Sequence, residues 1–74
     1  MSRPYNVGII GCGRVAAAHA NAYKAIEATE IVAATDPDPE RRLKFDETYN
    51  IVGFYENYRE MLANETLDII SVCT

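Results

Sequence analysis

The fold of this chain is decided by residues 7–16, which read VGIIGCGRVA. Apolar residues and one glycine at 7–10 predict a buried strand, and the small residues that follow predict a tight turn into a helix. The spacing Gly11-x-Gly13-x-x-Ala16 is that of the fingerprint with which a strand–turn–helix unit binds a dinucleotide, with alanine in the third small position.

Each small residue of this fingerprint has a physical reason. Gly11 permits a turn too tight for a Cβ atom, Gly13 lets the backbone approach a pyrophosphate, and Ala16 lets the helix pack close to the strand. The helix then directs its free N–H groups and the positive end of its dipole at the phosphates. A plain tight turn is the alternative, but the strand before it, the helix after it and an acidic residue ending the next strand favour nucleotide binding.

The bulk composition is that of one small globular domain. The chain has 74 residues, of which 49% are hydrophobic and 24% charged, and its net charge is −4. The negative charge argues against nucleic acids and anionic membranes as partners. No apolar run approaches the roughly 20 residues that a membrane-spanning helix needs. The N-terminal residues lack a signal-peptide pattern, so we expect a cytoplasmic location.

Strand and helix patterns alternate with short connections along the chain. This alternation predicts an α/β fold, half of a doubly wound Rossmann fold, with a parallel sheet and helices on both faces. The usual order of such sheets predicts strands arranged 3-2-1-4. The predicted strands cover residues 5–10, 30–35 and 67–73, with a short third strand within residues 51–56 around Phe54 and Tyr55. The predicted helices cover residues 14–27, 39–49 and 58–63.

The first helix is predicted to bury one apolar face. At helical spacing, this face contains Val15, His19, Ala22, Tyr23 and Ile26. A histidine on such a face suggests either a packed side chain or a catalytic or metal-binding one. Because no Cys, Asp, Glu or second His stands three or four residues from His19, we expect it to be packed and expect no metal site.

The other two helices carry recognisable end signals. Asp38 and Asn57 are predicted N-caps, and Asn50 is predicted to end the second helix in the left-handed conformation. The short third helix is predicted to turn Met61 and Leu62 toward the core.

An acidic residue ends the second strand. Asp36 follows Gly13 by 23 residues, near the roughly 20 expected for the carboxylate that binds the adenosine ribose. It would accept hydrogen bonds from the ribose hydroxyls and repel a 2′-phosphate, so it favours NAD over NADP. The alternative is a helix-capping aspartate, a role that Asp38 could already fill.

The two cysteines, Cys12 and Cys73, have neither metal-ligand spacing nor the number that a disulfide framework needs. We expect two small buried thiols. Both should lie near the carboxyl ends of neighbouring strands, so oxidation between them is the alternative.

Four segments keep the order and spacing of a known family, and together they extend over most of the chain. They read GIIGCGRVAAAH at 8–19, DPDPER at 36–41, YREML at 58–62 and DIISVCT at 68–74. In these segments the chain resembles the family of glucose–fructose oxidoreductase, inositol dehydrogenase and MocA (Gfo/Idh/MocA).

This resemblance implies an NAD(P)-dependent oxidoreductase acting on sugars, inositols or related polyols. It implies that Asp36 holds the adenosine ribose and that Ser71, Cys73 and above all Thr74 lie near the cofactor. The pyrophosphate would be met by Gly11, Gly13 and the backbone of Arg14 and Val15.

The family's Glu-Lys-Pro motif, its catalytic histidine and aspartate and its C-terminal domain have no counterpart in residues 1–74. We therefore expect the N-terminal half of a cofactor-binding domain, with no catalytic residue and no activity of its own. The strand at 67–73 would then be an exposed edge. An alternative function is therefore self-association through this edge as a two-fold dimer, either directly or by exchange of an element, with little or no cofactor binding. A methyltransferase-like nucleotide binder is a third alternative, because such folds also pair a glycine loop with an acid after the second strand.

Overall fold

The centre of the fold is a sheet of four parallel strands in the order β3-β2-β1-β4. This arrangement confirms the predicted order and the α/β class. The computed structural model describes residues 4–73. Its elements are β1 (Tyr5–Ile10), α1 (Arg14–Lys24), β2 (Thr29–Thr35), α2 (Pro39–Tyr49), β3 (Gly53–Tyr55), α3 (Tyr58–Asn64) and β4 (Ile69–Val72).

Helices cover both faces of the sheet, as predicted. One buried cluster joins β1 to α1 and α2 and includes Val7, Ile9, Ala16, Ala20 and Phe45. Gly8 points to the opposite face, because successive strand residues alternate. A Cβ atom added at Gly8 would lie 3.2 Å from Met61 Cε, so α3 packs directly on the backbone of β1.

Helix α1 buries a face that is shifted from the predicted one, and of the predicted residues only Tyr23 packs against the core. Ala16 and Ala20 are completely buried, whereas Val15 is 57% exposed and His19 is also exposed. The prediction of a packed His19 is therefore wrong. Alanines occupy both sides of this helix, so apolar spacing alone does not select a side. The side with the smaller residues lies on the sheet because it permits the closer approach.

Several predicted boundaries need correction, and the largest is the end of α1. The helix ends at Lys24 rather than at residue 27. A tight turn replaces the last predicted turn, in which the Thr29 hydroxyl donates to the carbonyls of Tyr23 (2.8 Å) and Ile26 (3.1 Å). The fourth strand is also shorter than predicted, at four residues, whereas the short third strand predicted around Phe54 and Tyr55 is confirmed at Gly53–Tyr55.

The predicted N-caps of α2 and α3 and the predicted C-terminal end of α2 are confirmed. Asp38 Oδ1 accepts the amide of Glu40, and Asn57 Oδ1 accepts the amide of Glu60, both at 2.9 Å. Asn50 ends α2 with φ 53° in the left-handed region. In α3, Met61 is completely buried as predicted, but Leu62 is largely exposed, so that prediction is wrong.

Strand β4 leaves apolar side chains on the surface. Ile70 is 44% and Val72 is 66% exposed. The register with β1 pairs Ile70 with Gly8 and Val72 with Ile10, so both side chains lie on the face of the sheet that α3 covers. Within residues 4–73, β4 pairs only with β1. No helix in this part of the chain has both the length and the apolar character to cross a bilayer.

Candidate functional site

A cavity of about 560 Å³ lies at the carboxyl edge of the sheet. Residues at or just beyond the ends of all four strands contribute to it. Ligands of open α/β sheets bind at this edge. The lining residues are Ile10, Gly11, Gly13, Thr35, Asp36, Pro37, Arg41, Glu56, Asn57, Tyr58 and Cys73.

The glycine loop forms one wall of this cavity. Gly11 has φ 92°, a backbone conformation that residues with a side chain rarely adopt. Its amide donates to the Thr35 carbonyl at 2.8 Å. Gly13 has an ordinary extended backbone, but a Cβ atom added there would have no protein atom within 4 Å. Gly11 therefore shapes the turn, whereas Gly13 leaves open space that a ligand can approach.

Helix α1 begins at this open space without a side-chain cap. Its first turn contains no acidic residue, whereas α2 and α3 each have a side-chain cap and an acidic residue in the first turn. Within residues 4–73, the amides of Gly13, Arg14 and Val15 donate to no protein acceptor. These donors and the positive end of the helix dipole can bind an anionic group.

Asp36 lies at the end of β2 and is only 4% exposed. Its Oδ2 accepts the amide of Cys12 at 2.9 Å, and its Oδ1 accepts the amide of Asp38 at 2.8 Å. The carboxylate thus connects the glycine loop to the turn that begins α2. A carboxylate has about four acceptor positions, so two remain for a ligand.

The two cysteines are buried free thiols, as predicted. Cys12 Sγ donates to the Thr35 carbonyl at 3.5 Å. Burial, together with the negative charge of Asp36, raises the pKa of Cys12 from 9.0 to about 12, and burial raises the pKa of Cys73 as well. Both therefore remain protonated, poorly nucleophilic thiols at neutral pH.

Three of the six residues expected at the cofactor line the cavity, namely Gly11, Gly13 and Asp36. Arg14 and Val15 begin α1 beside it. Thr74 lies outside the described residues.

Two further residues were expected near the cofactor, and the structure separates them. Cys73 lines the cavity. Ser71 is buried instead on the α1 face, where its hydroxyl hydrogen-bonds with the Tyr23 hydroxyl at 2.7 Å.

The residues of the far wall of the cavity were not predicted from the sequence. Arg41 comes from α2, while Glu56 and Tyr58 flank the start of α3. Arg41 is exposed, and its Nε lies 3.9 Å from Asp38 Oδ2. Arg41 and Tyr58 lie within two of the family-like segments, but the resemblance gives them no role. The position of Glu56 just after the short predicted third strand was a usable signal. Within residues 4–73, no group of three or more His, Cys, Asp or Glu residues could hold a metal ion.

Several known dehydrogenases are similar to this chain. The D-apiose dehydrogenase of Paraburkholderia graminis is 35% identical over 66 residues, which are 89% of this chain and 18% of that protein. The WlbA dehydrogenase of Chromobacterium violaceum, solved with NADH and UDP-GlcNAcA, matches with a TM-score of 0.91 and 27% identity over 100% of this chain and 21% of that one. The myo-inositol 2-dehydrogenase of Lactobacillus plantarum matches with a TM-score of 0.88 and 27% identity over 97% of this chain and 22% of that one.

The chain thus spans about a fifth of the length of these relatives. Residues 5–74 match the model of the Gfo/Idh/MocA family, described as an oxidoreductase family with an NAD-binding Rossmann fold. This match favours the oxidoreductase interpretation of the glycine loop over the methyltransferase-like one. The glycine loop, the acid at the end of β2 and the matched residues together establish that this chain belongs to the Gfo/Idh/MocA oxidoreductase family.

Proposed function

We propose that residues 1–74 bind the dinucleotide of an oxidoreductase that acts on sugars or polyols. The observation that carries this proposal is the cavity at the sheet edge, where Gly11, Gly13 and Asp36 meet. The names of its relatives support the substrate class, because they include a D-apiose dehydrogenase and a myo-inositol 2-dehydrogenase. We assign no catalytic residue among residues 4–73.

The residues present fit two parts of a dinucleotide, its pyrophosphate and its adenosine ribose. The open space over Gly13 accepts a pyrophosphate, and the uncapped amides of Arg14 and Val15 bind it. Asp36 accepts a hydrogen bond from the adenosine ribose with its remaining lone pairs. When bound, NAD supplies the hydride acceptor for oxidation of an alcohol carbon.

The same carboxylate favours NAD over NADP. A 2′-phosphate would bring two negative charges close to Asp36, which is nearly completely buried and therefore poorly screened by solvent. Arg41 is the one cation lining the cavity in the described part of the chain. Its guanidinium lies beside Asp38, so part of its charge is already offset.

Calorimetric titration of the protein with NAD, NADP and S-adenosylmethionine tests this proposal. We expect NAD to bind at least about tenfold more tightly than NADP, a difference of about 1.4 kcal/mol. Absence of both heat and thermal protection with NAD would contradict dinucleotide binding. Tighter binding of S-adenosylmethionine would instead support the methyltransferase-like alternative.

A second candidate function is self-association through β4. The observation that favours it is the edge strand β4, in which the apolar side chains of Ile70 and Val72 are exposed. An apolar strand with one unpaired edge is a template for pairing with another chain. A two-fold dimer would bury this edge against a second copy. Sedimentation equilibrium at tens of micromolar, a concentration range where exposed apolar surface drives association, should show a dimer. A folded monomer in that range would contradict it.

A further inference from the structure

The carboxylate of Asp36 has two backbone partners that lie in different loops. Cys12, in the glycine loop, donates its amide to Oδ2 at 2.9 Å, and Asp38, at the start of α2, donates its amide to Oδ1 at 2.8 Å. Asp36 as a whole is only 4% exposed. These bonds are therefore formed by the protein itself, before any ligand arrives.

We propose that Asp36 is a positioning residue for the pyrophosphate-binding loop, in addition to its contact with the ribose. This inference rests on the proposed function, because it names how that site is held ready for its ligand. By accepting the Cys12 amide, the Asp36 carboxylate fixes the backbone at Cys12 and at the residues after it. The amides of Gly13 and Arg14 therefore remain directed at the open space. Asp36 thus contributes to the binding of a part of the dinucleotide that it does not touch.

The loop needs such an anchor for two physical reasons. Two of its three residues, Gly11 and Gly13, are glycines, which lose the most conformational freedom when they are ordered. Within residues 4–73, the only side chain that accepts an amide hydrogen bond from the loop is that of Asp36. Hydrogen bonds from an amide to a carboxylate are roughly twice as strong as neutral ones, and burial strengthens them further.

The test separates the contact with the ribose from the positioning of the loop. We compare wild type with Asp36→Ala in binding NAD and an NAD analogue whose adenosine ribose lacks both hydroxyls. If Asp36 binds only the ribose, wild type and Asp36→Ala bind the analogue equally well. If it also positions the loop, Asp36→Ala binds the analogue roughly tenfold more weakly, as expected for the loss of one hydrogen bond to a charged group. Equal affinities, within about twofold, would overturn the inference.

Asp38→Asn is the matched control, because it removes a nearby negative charge while asparagine caps α2 equally well. It should leave the affinity for the analogue unchanged. An equal loss in Asp38→Asn would attribute the effect to charge and would also overturn the inference. Asp36→Asn keeps one acceptor oxygen and should fall between wild type and Asp36→Ala.

Amide hydrogen exchange in the wild-type protein without cofactor provides a second test that does not depend on the folding of any variant. The Cys12 amide should exchange at least roughly tenfold more slowly than the amides of Gly13 and Arg14. Equally fast exchange of all three would contradict the anchor, even if NAD binds. Wild type that fails to bind NAD, with a protected Cys12 amide, would contradict the proposed function and leave the anchoring contact in place.

Discussion

The open space over Gly13 can be filled without disturbing the protein. The φ of −87° at Gly13 suits any residue. A Cβ atom added there would lie within 4 Å of no protein atom outside Gly13 and its two chain neighbours. In Gly13→Val we therefore expect the free energy of unfolding to change by less than about 1 kcal/mol. The affinity for NAD should fall at least about tenfold, because the valine side chain occupies the approach to the helix amides. Urea unfolding and calorimetric titration measure the two quantities.

Gly11 is the matched contrast in the same loop. Its φ of 92° costs a residue with a Cβ atom about 1–2 kcal/mol. Gly11→Ala should therefore lower the free energy of unfolding by about that amount, measured by urea unfolding. If Gly13→Val destabilised the protein as much as Gly11→Ala does, the space over Gly13 would not be open.

The raised pKa of the Cys12 thiol predicts how the free energy of unfolding depends on pH. Its pKa is about 12 in the folded protein against an ordinary value of 9.0, because burial and then Asp36 disfavour the thiolate. The unfolded chain therefore loses this proton first, and the stabilising contribution present below pH 9 declines as the pH rises toward 12. Urea unfolding at pH 8 and pH 10.5 should show a smaller decline for Cys12→Ser than for wild type. Equal declines in the two proteins would contradict the burial of this thiol as the cause.

At the scale of elements, α1 shows what periodicity can and cannot determine. Its sequence RVAAAHANAYK forms a helix readily, because alanine has the highest helix propensity. The same alanines make two faces apolar, so the buried face depends on how closely the helix can approach the sheet. That distance is a property of the packed sheet and cannot be obtained from the local sequence.

Two substitutions on opposite sides of α1 test the corrected face. Ala20 is completely buried against the sheet, whereas Ala22, which the spacing had placed on the buried face, is exposed. Ala20→Leu should lower the free energy of unfolding by about 1–3 kcal/mol, because the core lacks room for the added atoms. Ala22→Leu should change it by less than about 0.5 kcal/mol. If Ala22→Leu lowered the free energy of unfolding as much as Ala20→Leu does, in thermal or urea unfolding, the face predicted from spacing would be favoured over the corrected one.

At the scale of the whole molecule, the exposed edge at β4 predicts association. Val72 is 66% exposed on this edge strand, and a lysine there would oppose pairing of strand edges. Val72→Lys should weaken self-association at least about tenfold in sedimentation equilibrium. Val52→Lys is the control, since Val52 is 96% exposed and precedes β3 at the other side of the sheet. An equal effect of both lysines would point to net charge rather than the β4 edge.

The sequence by itself determined the strand–turn–helix unit, the strand order and the helix ends at Asp38, Asn50 and Asn57. The strand–turn–helix unit and the helix ends depend on contacts between residues a few positions apart. The strand order follows from the alternation of strands and helices along the chain, which the sequence also shows. The turn at Gly11 belongs to the same class, since its positive φ follows from the spacing of the fingerprint.

Only the tertiary structure decided the buried face of α1, the far wall of the cavity and the partners of Asp36. Each depends on groups that are distant in sequence, such as the Cys12 amide that donates to the Asp36 carboxylate and the Tyr58 side chain that lines the same cavity. The acid at residue 36 was recognisable from its spacing, but its hydrogen bond with the Cys12 amide of the glycine loop was not. Folding brings the two loops to one edge of the sheet, because parallel strands all end on the same side.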